Sequence, residues 1–207
     1  MEVLFFGGSF NPPHLGHRHV IETISKSYPD ALLYICPNFV SPFKEGGTKF
    51  SSTEIWELCL TEFKGFLSKN VFLWDEEIKK PNTSYTVDSL KTLRVLHPNT
   101  KVSLVMGEDN LVSFDKWKSY LEILDMINQI IVVRRVTPYP KEIPIPNFLP
   151  QSKVTVLSNP VLPVSSTEIR HIFHGNLVNE YLLPQTKELM LKFLDSKGEG
   201  FFNEINS

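Results

Sequence analysis

The residues best placed to do chemistry sit near the start of the chain, in Gly7-Gly8-Ser9-Phe10-Asn11-Pro12-Pro13-His14-Leu15-Gly16-His17. A short apolar run, Val3–Phe6, precedes them, and a segment with helical spacing follows. A strand, a glycine turn and a helix N-terminus form a natural phosphate cradle, because exposed N–H groups and the helix dipole both favour an anion. His14 and His17 add donors that can follow negative charge as it develops. The alternatives are weaker. Gly, Asn and Pro also make ordinary tight turns, but two histidines in one His-x-x-His frame are more than a turn needs. The frame could hold a metal, yet it encloses no Glu and no further Cys or His ligand follows at useful spacing. The phosphate reading ranks above the metal one.

Two further clusters carry chemistry. In Ser165-Ser166-Thr167-Glu168-Ile169-Arg170, Ser165 and Glu168 have capping-box spacing, so Ser165 is expected to start a helix. The three hydroxyl residues and Arg170 also make an anion site. In Met106-Gly107-Glu108-Asp109-Asn110, Gly107 allows close approach of a ligand to the backbone and Asp109 can accept from ribose or base donors. Trp117 offers a flat face for stacking an aromatic ring, against the alternative of core packing. The run Asp75-Glu76-Glu77 beside Lys79-Lys80 reads as a solvated surface.

These residues need a scaffold. The chain has 207 residues and 42% apolar composition, enough for one full core. Short apolar runs alternate with amphipathic ones, the pattern of parallel βα units. Strands are expected at 3–6, 32–36, 71–73, 102–106, 130–133 and 154–156, and helices at 15–27, 53–67, 86–96, 118–126, 166–173 and 184–194. The expected fold is α/β: a Rossmann-like open parallel sheet with helices on both faces, in a single domain over 1–195 with a tail at 196–207. The proline-rich segment 137–151 reads as an extended surface excursion. No apolar run is long enough to span a membrane, and Glu2 stands where a basic leader region would be. Cys36 and Cys59 fit buried thiols in a reducing cytoplasm. A formal charge of −2 gives no field to draw nucleic acid. Oligomeric state stays open.

Together the motifs resemble the nucleotidylyltransferase superfamily, with His14-Leu15-Gly16-His17 and Ser165-Ser166-Thr167-Glu168-Ile169-Arg170 as its two signatures. Within it, the chain is similar to the bacterial nicotinate-mononucleotide adenylyltransferases. The closer signs are Phe6-Gly7-Gly8-Ser9-Phe10-Asn11-Pro12, Ser84-Tyr85-Thr86, Gly107-Glu108-Asp109, Phe114-x-x-Trp117, Val132-Val133-Arg134-Arg135 and Leu182-Leu183-Pro184. The resemblance implies adenylyl transfer from ATP to nicotinate mononucleotide, with Mg2+ accompanying ATP and no metal ligand supplied by the protein. By the same resemblance His14 and His17 contact the reacting phosphates, and Gly7, Gly8, Ser9 and Phe10 form the cradle. Ser165, Ser166, Thr167 and Arg170 hold the departing phosphates, while Gly107 and Asp109 lie against adenosine. Thr86, Val87, Trp117 and Lys118 are implied for the nicotinate end of the mononucleotide, and Lys44, with compensation from Arg134 or Arg135, is expected at its phosphate.

Two positions depart from many relatives. Phe43 stands where a His often precedes the basic residue, here Lys44, and Ser52-Thr53-Glu54 stands where a basic pair is common. Rival readings are another nucleotidylyl transferase on the same scaffold and a nucleotide-binding regulatory protein without turnover. A dinucleotide-dependent dehydrogenase is remote, because no Gly-x-Gly-x-x-Gly follows the first strand.

Overall fold

The computed structural model describes residues 2–38, 50–79, 83, 85–172 and 180–197. Six parallel strands form one sheet: β1 (Glu2–Gly8), β2 (Leu32–Pro37), β3 (Val71–Leu73), β4 (Lys101–Gly107), β5 (Ile130–Val133) and β6 (Val154–Val156). Their spatial order is β3-β2-β1-β4-β5-β6, so the winding reverses between β1 and β4. Open α/β sheets bind ligands at such a switch point, beyond the carboxyl ends of the strands. Here that point lies at Gly7-Gly8 and Gly107.

Strand alternation divides the core between the two faces of the sheet. Leu4, Phe6, Val105, Ile131 and Val133 face one layer, with buried residues of α1 (Leu15–Ser27), α2 (Ser52–Phe63) and α7 (Pro184–Ser196). Val3, Phe5, Leu104, Met106 and Val132 face the other, with α3 (Thr86–Leu96) and α5 (Tyr120–Met126). Both faces are apolar because both are covered, as a parallel sheet requires. Two short helices lie at the carboxyl edge: α4 (Glu108–Leu111) and α6 (Ser166–Ile172). No helix among the described residues is long and apolar enough to cross a membrane.

The helix ends differ from expectation for local reasons. α2 stops at Phe63 because the chain tightens into an i→i+3 turn, Phe66 N–H to Phe63 C=O at 2.9 Å. α5 starts at Tyr120, because Trp117 is extended and Ser119 is left-handed at φ 54°. The Ser52-Thr53-Glu54 departure is a capping box. Ser51 N–H donates to Glu54 Oε2 at 2.6 Å and Ser51 Oγ accepts Glu54 N–H at 3.3 Å. Glu54 also pairs with Lys197 at 2.7 Å, tying α2 to α7.

The proline-rich segment is only partly a surface excursion. Pro138 to Glu142 are exposed, but Leu149 is buried, and Ile143, Ile145 and Phe148 pack against the α3–α5 layer. Lys44 and Phe43, Ser84 and the tail beyond Lys197 lie outside the described residues.

Candidate active site

The site begins with the first turn of α1. His14 is its N-cap, a role the sequence did not announce because histidine is not among the preferred capping residues. His14 Nδ1 accepts the Gly16 N–H at 3.1 Å, and His17 Nδ1 accepts the His14 N–H at 3.2 Å. With Nδ1 an acceptor in each ring, a neutral imidazole carries its proton on Nε2. His14 Nε2 is buried and has no partner among the described residues. The rings lie against each other at a centroid distance of 3.8 Å, tilted by 40°. Burial first, then the charges of Arg135 and Arg18, lower the His14 pKa to about 3. His14 is therefore a neutral donor at pH 7, a buried N–H waiting for an acceptor.

The turn before it is held by aromatic packing. Phe10 is 1% exposed and adopts φ 40°, a left-handed conformation that costs a non-glycine residue about 1–2 kcal/mol. Its ring meets Phe6 at 5.5 Å, Phe63 at 5.6 Å and His17 at 4.8 Å, edge to face. A Cβ on Gly8 would fall 3.0 Å from that ring, so glycine is what lets the loop fold over Phe10. At Gly16 a Cβ would lie 2.8 Å from Val164 Cγ1, which ties this glycine to the approach of a second loop.

That second loop is the serine cluster. Glu168 closes the expected box, accepting the Ser165 N–H at 2.8 Å and the Ser165 hydroxyl at 2.7 Å. Ser166 Oγ donates to Pro12 C=O at 2.9 Å. Arg170 donates to Asn11 C=O at 2.5 Å and to Thr167 Oγ1 at 3.1 Å. Two motifs about 150 residues apart are thus bonded directly to each other through Pro12 and Asn11. The last loop joins them from behind: Tyr181 C=O accepts the Leu15 N–H at 2.7 Å, and Leu183 N–H donates to buried Glu62 at 3.1 Å. The opposite side of Glu62 forms an ion pair with Arg18 at 3.0 Å.

Together these loops line a cleft of about 470 Å3 over the carboxyl ends of β1 and β4. Gly7, Gly8, Ser9, Phe10, His14, His17, Ser165, Ser166 and Thr167 face one end. Gly107 and Asp109 line the middle, and Thr86, Trp117 and Lys118 the α3 side. Trp117 is half-buried, with its ring 5.3 Å from Phe114, so packing and a cleft-facing surface coexist in one side chain. Lys118 Nζ lies 4.0 Å above the Tyr85 ring. Val87 is buried beneath the first turn of α3, whose leading N–H groups have no intrahelical acceptor.

Arg134 does not reach the cleft, contrary to the sequence expectation. It is 7% exposed, and its guanidinium donates to Leu157 C=O at 2.9 Å, Lys141 C=O at 2.7 Å and Thr137 C=O at 3.2 Å. Its neighbour Arg135 lines the cleft instead, pairs with Asp109 at 3.4 Å and donates to Val164 C=O at 3.0 Å. Both arginines lie just past the end of β5, where the carbonyls of residues 137, 141 and 157 take up Arg134 and Arg135 is left to the cleft. Replacing Arg134 by Met is expected to destabilise the fold by about 2–3 kcal/mol through the stranded carbonyls. Mononucleotide KM should stay within about twofold, since the side chain is remote from the cleft. Thermal unfolding and steady-state kinetics together check this.

Three supports were not legible in sequence. Glu108 Oε1 accepts the N–H groups of Val136 and Thr137 at 2.6 and 2.5 Å, anchoring the chain as it leaves β5. Asn159 copies a strand partner: Oδ1 accepts the Arg134 N–H at 2.9 Å and Nδ2 donates to the Arg134 C=O at 3.0 Å. Glu77 corrects the reading of 75–77 as a solvated run. It is 4% exposed, lines the cleft and accepts the Ser89 hydroxyl at 2.5 Å. Glu76 likewise accepts from Thr92, at 3.1 Å, while Asp75 pairs with Lys79 on the surface. The period of the local sequence gives no sign that a loop carboxylate will turn inward.

A doubly wound sheet with a cradle of glycines, histidines and hydroxyl groups at its switch point defines a nucleotide-binding α/β protein. A family model described as cytidylyltransferase-like matches residues 5–172. A protein of Leptospira borgpetersenii named "Probable nicotinate-nucleotide adenylyltransferase" is 34% identical over 188 residues, covering 90% of this chain and 92% of its own. One of that name from Fusobacterium nucleatum is 33% identical over 173 residues, covering 83% and 86%. Among solved structures, a Plasmodium falciparum nicotinic acid mononucleotide adenylyltransferase complexed with NaAD shares the fold at a TM-score of 0.72. It is 20% identical, with 93% and 96% of the two chains covered. The chain belongs to the cytidylyltransferase-like family and, within it, to the nicotinate-nucleotide adenylyltransferases.

Proposed function

We propose that this protein transfers the adenylyl group of ATP to nicotinate mononucleotide, releasing pyrophosphate and forming deamido-NAD for NAD biosynthesis. An oxygen of the mononucleotide phosphate attacks the α-phosphorus of ATP, and the bond from that phosphorus to the bridging oxygen of pyrophosphate breaks. No protein nucleophile is needed, so the protein's contribution is alignment and charge stabilisation. The observation that carries this reading is the histidine pair at the start of α1, with each Nδ1 tied to a backbone N–H. That arrangement directs His14 Nε2 as a fixed donor, and the dipole of α1 adds its positive end. The Ser165–Thr167 loop would hold the leaving phosphates.

Asp109, Gly107 and Arg135 would meet adenosine, and Trp117, Thr86 and the α3 N-terminus the nicotinate ring and its carboxylate. Among the described residues no three His, Cys, Asp or Glu converge as a metal-ligand group. Magnesium would enter on the triphosphate, held by phosphate oxygens and water.

Carboxylate recognition by N–H donors predicts substrate choice. An amide NH2 facing those donors leaves polar groups unpaired, at about 1–3 kcal/mol each, or roughly tenfold to a hundredfold. Pyrophosphate release from MgATP is expected with nicotinate mononucleotide and to be at least about tenfold weaker in kcat/KM with nicotinamide mononucleotide. Equal rates would keep the chemistry and remove the carboxylate-reading site. Silence with both would overturn the assignment of acceptor.

A further inference from the structure

Glu77 is a buried acid in a cleft most of whose polar groups suit anions. It shares the α3 side of the cleft wall with Tyr85, Thr86, Trp117 and Lys118. Its position is fixed from below: Ser89, 1% exposed, donates its hydroxyl to Glu77 Oε1, and Thr92, one turn further along α3, donates to Glu76. Two adjacent carboxylates thus clasp one face of α3, and the Glu77 side chain cannot swing out to solvent without breaking that bond. A carboxylate shielded from water attracts a cation in the same cleft far more strongly than it would in bulk solution.

The ligand proposed above brings such a cation. A pyridine ring joined to ribose through its nitrogen carries a positive charge on the ring, beside the negative charge of its own carboxylate. The α3 N-terminal N–H groups suit the second charge, and Glu77 suits the first. We propose that Glu77 is a specificity-determining residue that selects the pyridinium charge of the mononucleotide; the inference rests on the function proposed above. The clasp to Ser89 and Glu77's place in the lining of the cleft that also holds Trp117 are the observations that carry it.

The test compares nicotinate mononucleotide with an uncharged isostere, the C-riboside 5′-phosphate of benzoate, in which carbon replaces the ring nitrogen. Phosphate, ribose and carboxylate are unchanged. The wild-type protein is expected to prefer the pyridinium compound by on the order of tenfold, in kcat/KM and in calorimetric affinity, the worth of one charge contact. Glu77→Gln, which keeps an acceptor for the Ser89 hydroxyl, should bring the two compounds near parity. KM for ATP and the acid-to-amide ratio should stay unchanged, since the amide mononucleotide is also a pyridinium. Equal losses for both compounds, or an altered acid-to-amide ratio, would reduce Glu77 to a support of α3 and overturn the proposal. No preference in the wild-type protein would overturn it without any variant. Absence of turnover with nicotinate mononucleotide in the wild-type protein would instead be a failure of the proposed function, and the inference would fall with it.

Discussion

Replacing His14 by alanine is expected to lower kcat by about 10²–10³-fold while KM for ATP changes little, the effect of deleting one preorganised donor to a developing charge. His14 is 0% exposed, its Nδ1 is committed to Gly16 and its Nε2 has no partner among the described residues. Such a group costs nothing to orient at the moment of reaction. Alanine also deletes the cap of α1, worth about 0.5–2 kcal/mol, so a loss of activity alone would confuse folding with chemistry. His14→Asn separates them. Asparagine is a good N-cap and offers an oxygen to the Gly16 N–H, but has no atom where Nε2 stands. It should restore stability and leave kcat depressed. A variant that recovers both would show that His14 serves the helix and not the reaction.

The same burial sets a pH dependence whose sign follows from the lowered pKa. Unfolded, His14 takes a proton near 6.5; folded, it takes one only near 3. Between those values the unfolded chain binds more protons, so stability falls as pH drops, by about 1.4 kcal/mol per unit. Above pH 6.5 this contribution is constant. Urea midpoints of the wild-type protein should therefore fall faster than those of His14→Asn from pH 6.5 downward. Parallel decline in the two proteins would remove the buried neutral imidazole from the account. For catalysis, kcat/KM should show no loss between pH 6 and 8 from deprotonation of His14, because the free protein already holds it neutral.

How much of this was legible in sequence depends on whether the information is local. Val3–Phe6 and Ile130–Val133 are two-sided apolar runs, and both are buried strands, as the pattern requires. The Ser165–Glu168 box is a contact between residues three apart and was readable for that reason. Arg134 and Arg135 show the limit. The pair was legible as two cations after a strand, but which one faces the cleft depends on carbonyls from 137, 141 and 157. Asn159 and Glu108 act on backbone groups 25 or more residues away, and nothing beside them in sequence marks that. Glu77 was misread because its neighbours Asp75 and Lys79 form the surface pair that the local pattern suggests, while Glu77 itself turns to Ser89.

Arg170 carries the second large effect, and its structural setting changes what its removal means. An arginine at a phosphate clamp is expected to contribute about 10²-fold or more to the rate. Here the guanidinium is not among the groups that line the cleft and bridges two loops, donating to Asn11 C=O with one nitrogen and to Thr167 Oγ1 with another. Arg170→Ala should therefore reduce kcat/KM for ATP by on the order of 10²-fold, and should also loosen the turn that carries His14. Arg170→Lys is expected to recover little, because a single ammonium cannot span the two acceptors that the planar fork reaches. The two roles separate through pyrophosphorolysis, the reverse reaction. If Arg170 binds the leaving phosphates, KM for pyrophosphate rises together with KM for ATP. If it only bridges the loops, kcat falls in both directions while KM for pyrophosphate holds. Ser166→Ala gives the comparison, since the Ser166 hydroxyl proton is committed to Pro12 C=O and the backbone N–H groups of the 165–167 loop stay in place. Its effect on the bridge is worth about 0.5–1.5 kcal/mol. A Ser166→Ala loss as large as that of Arg170→Ala would mean that the junction of the two loops, more than the guanidinium charge, governs the rate.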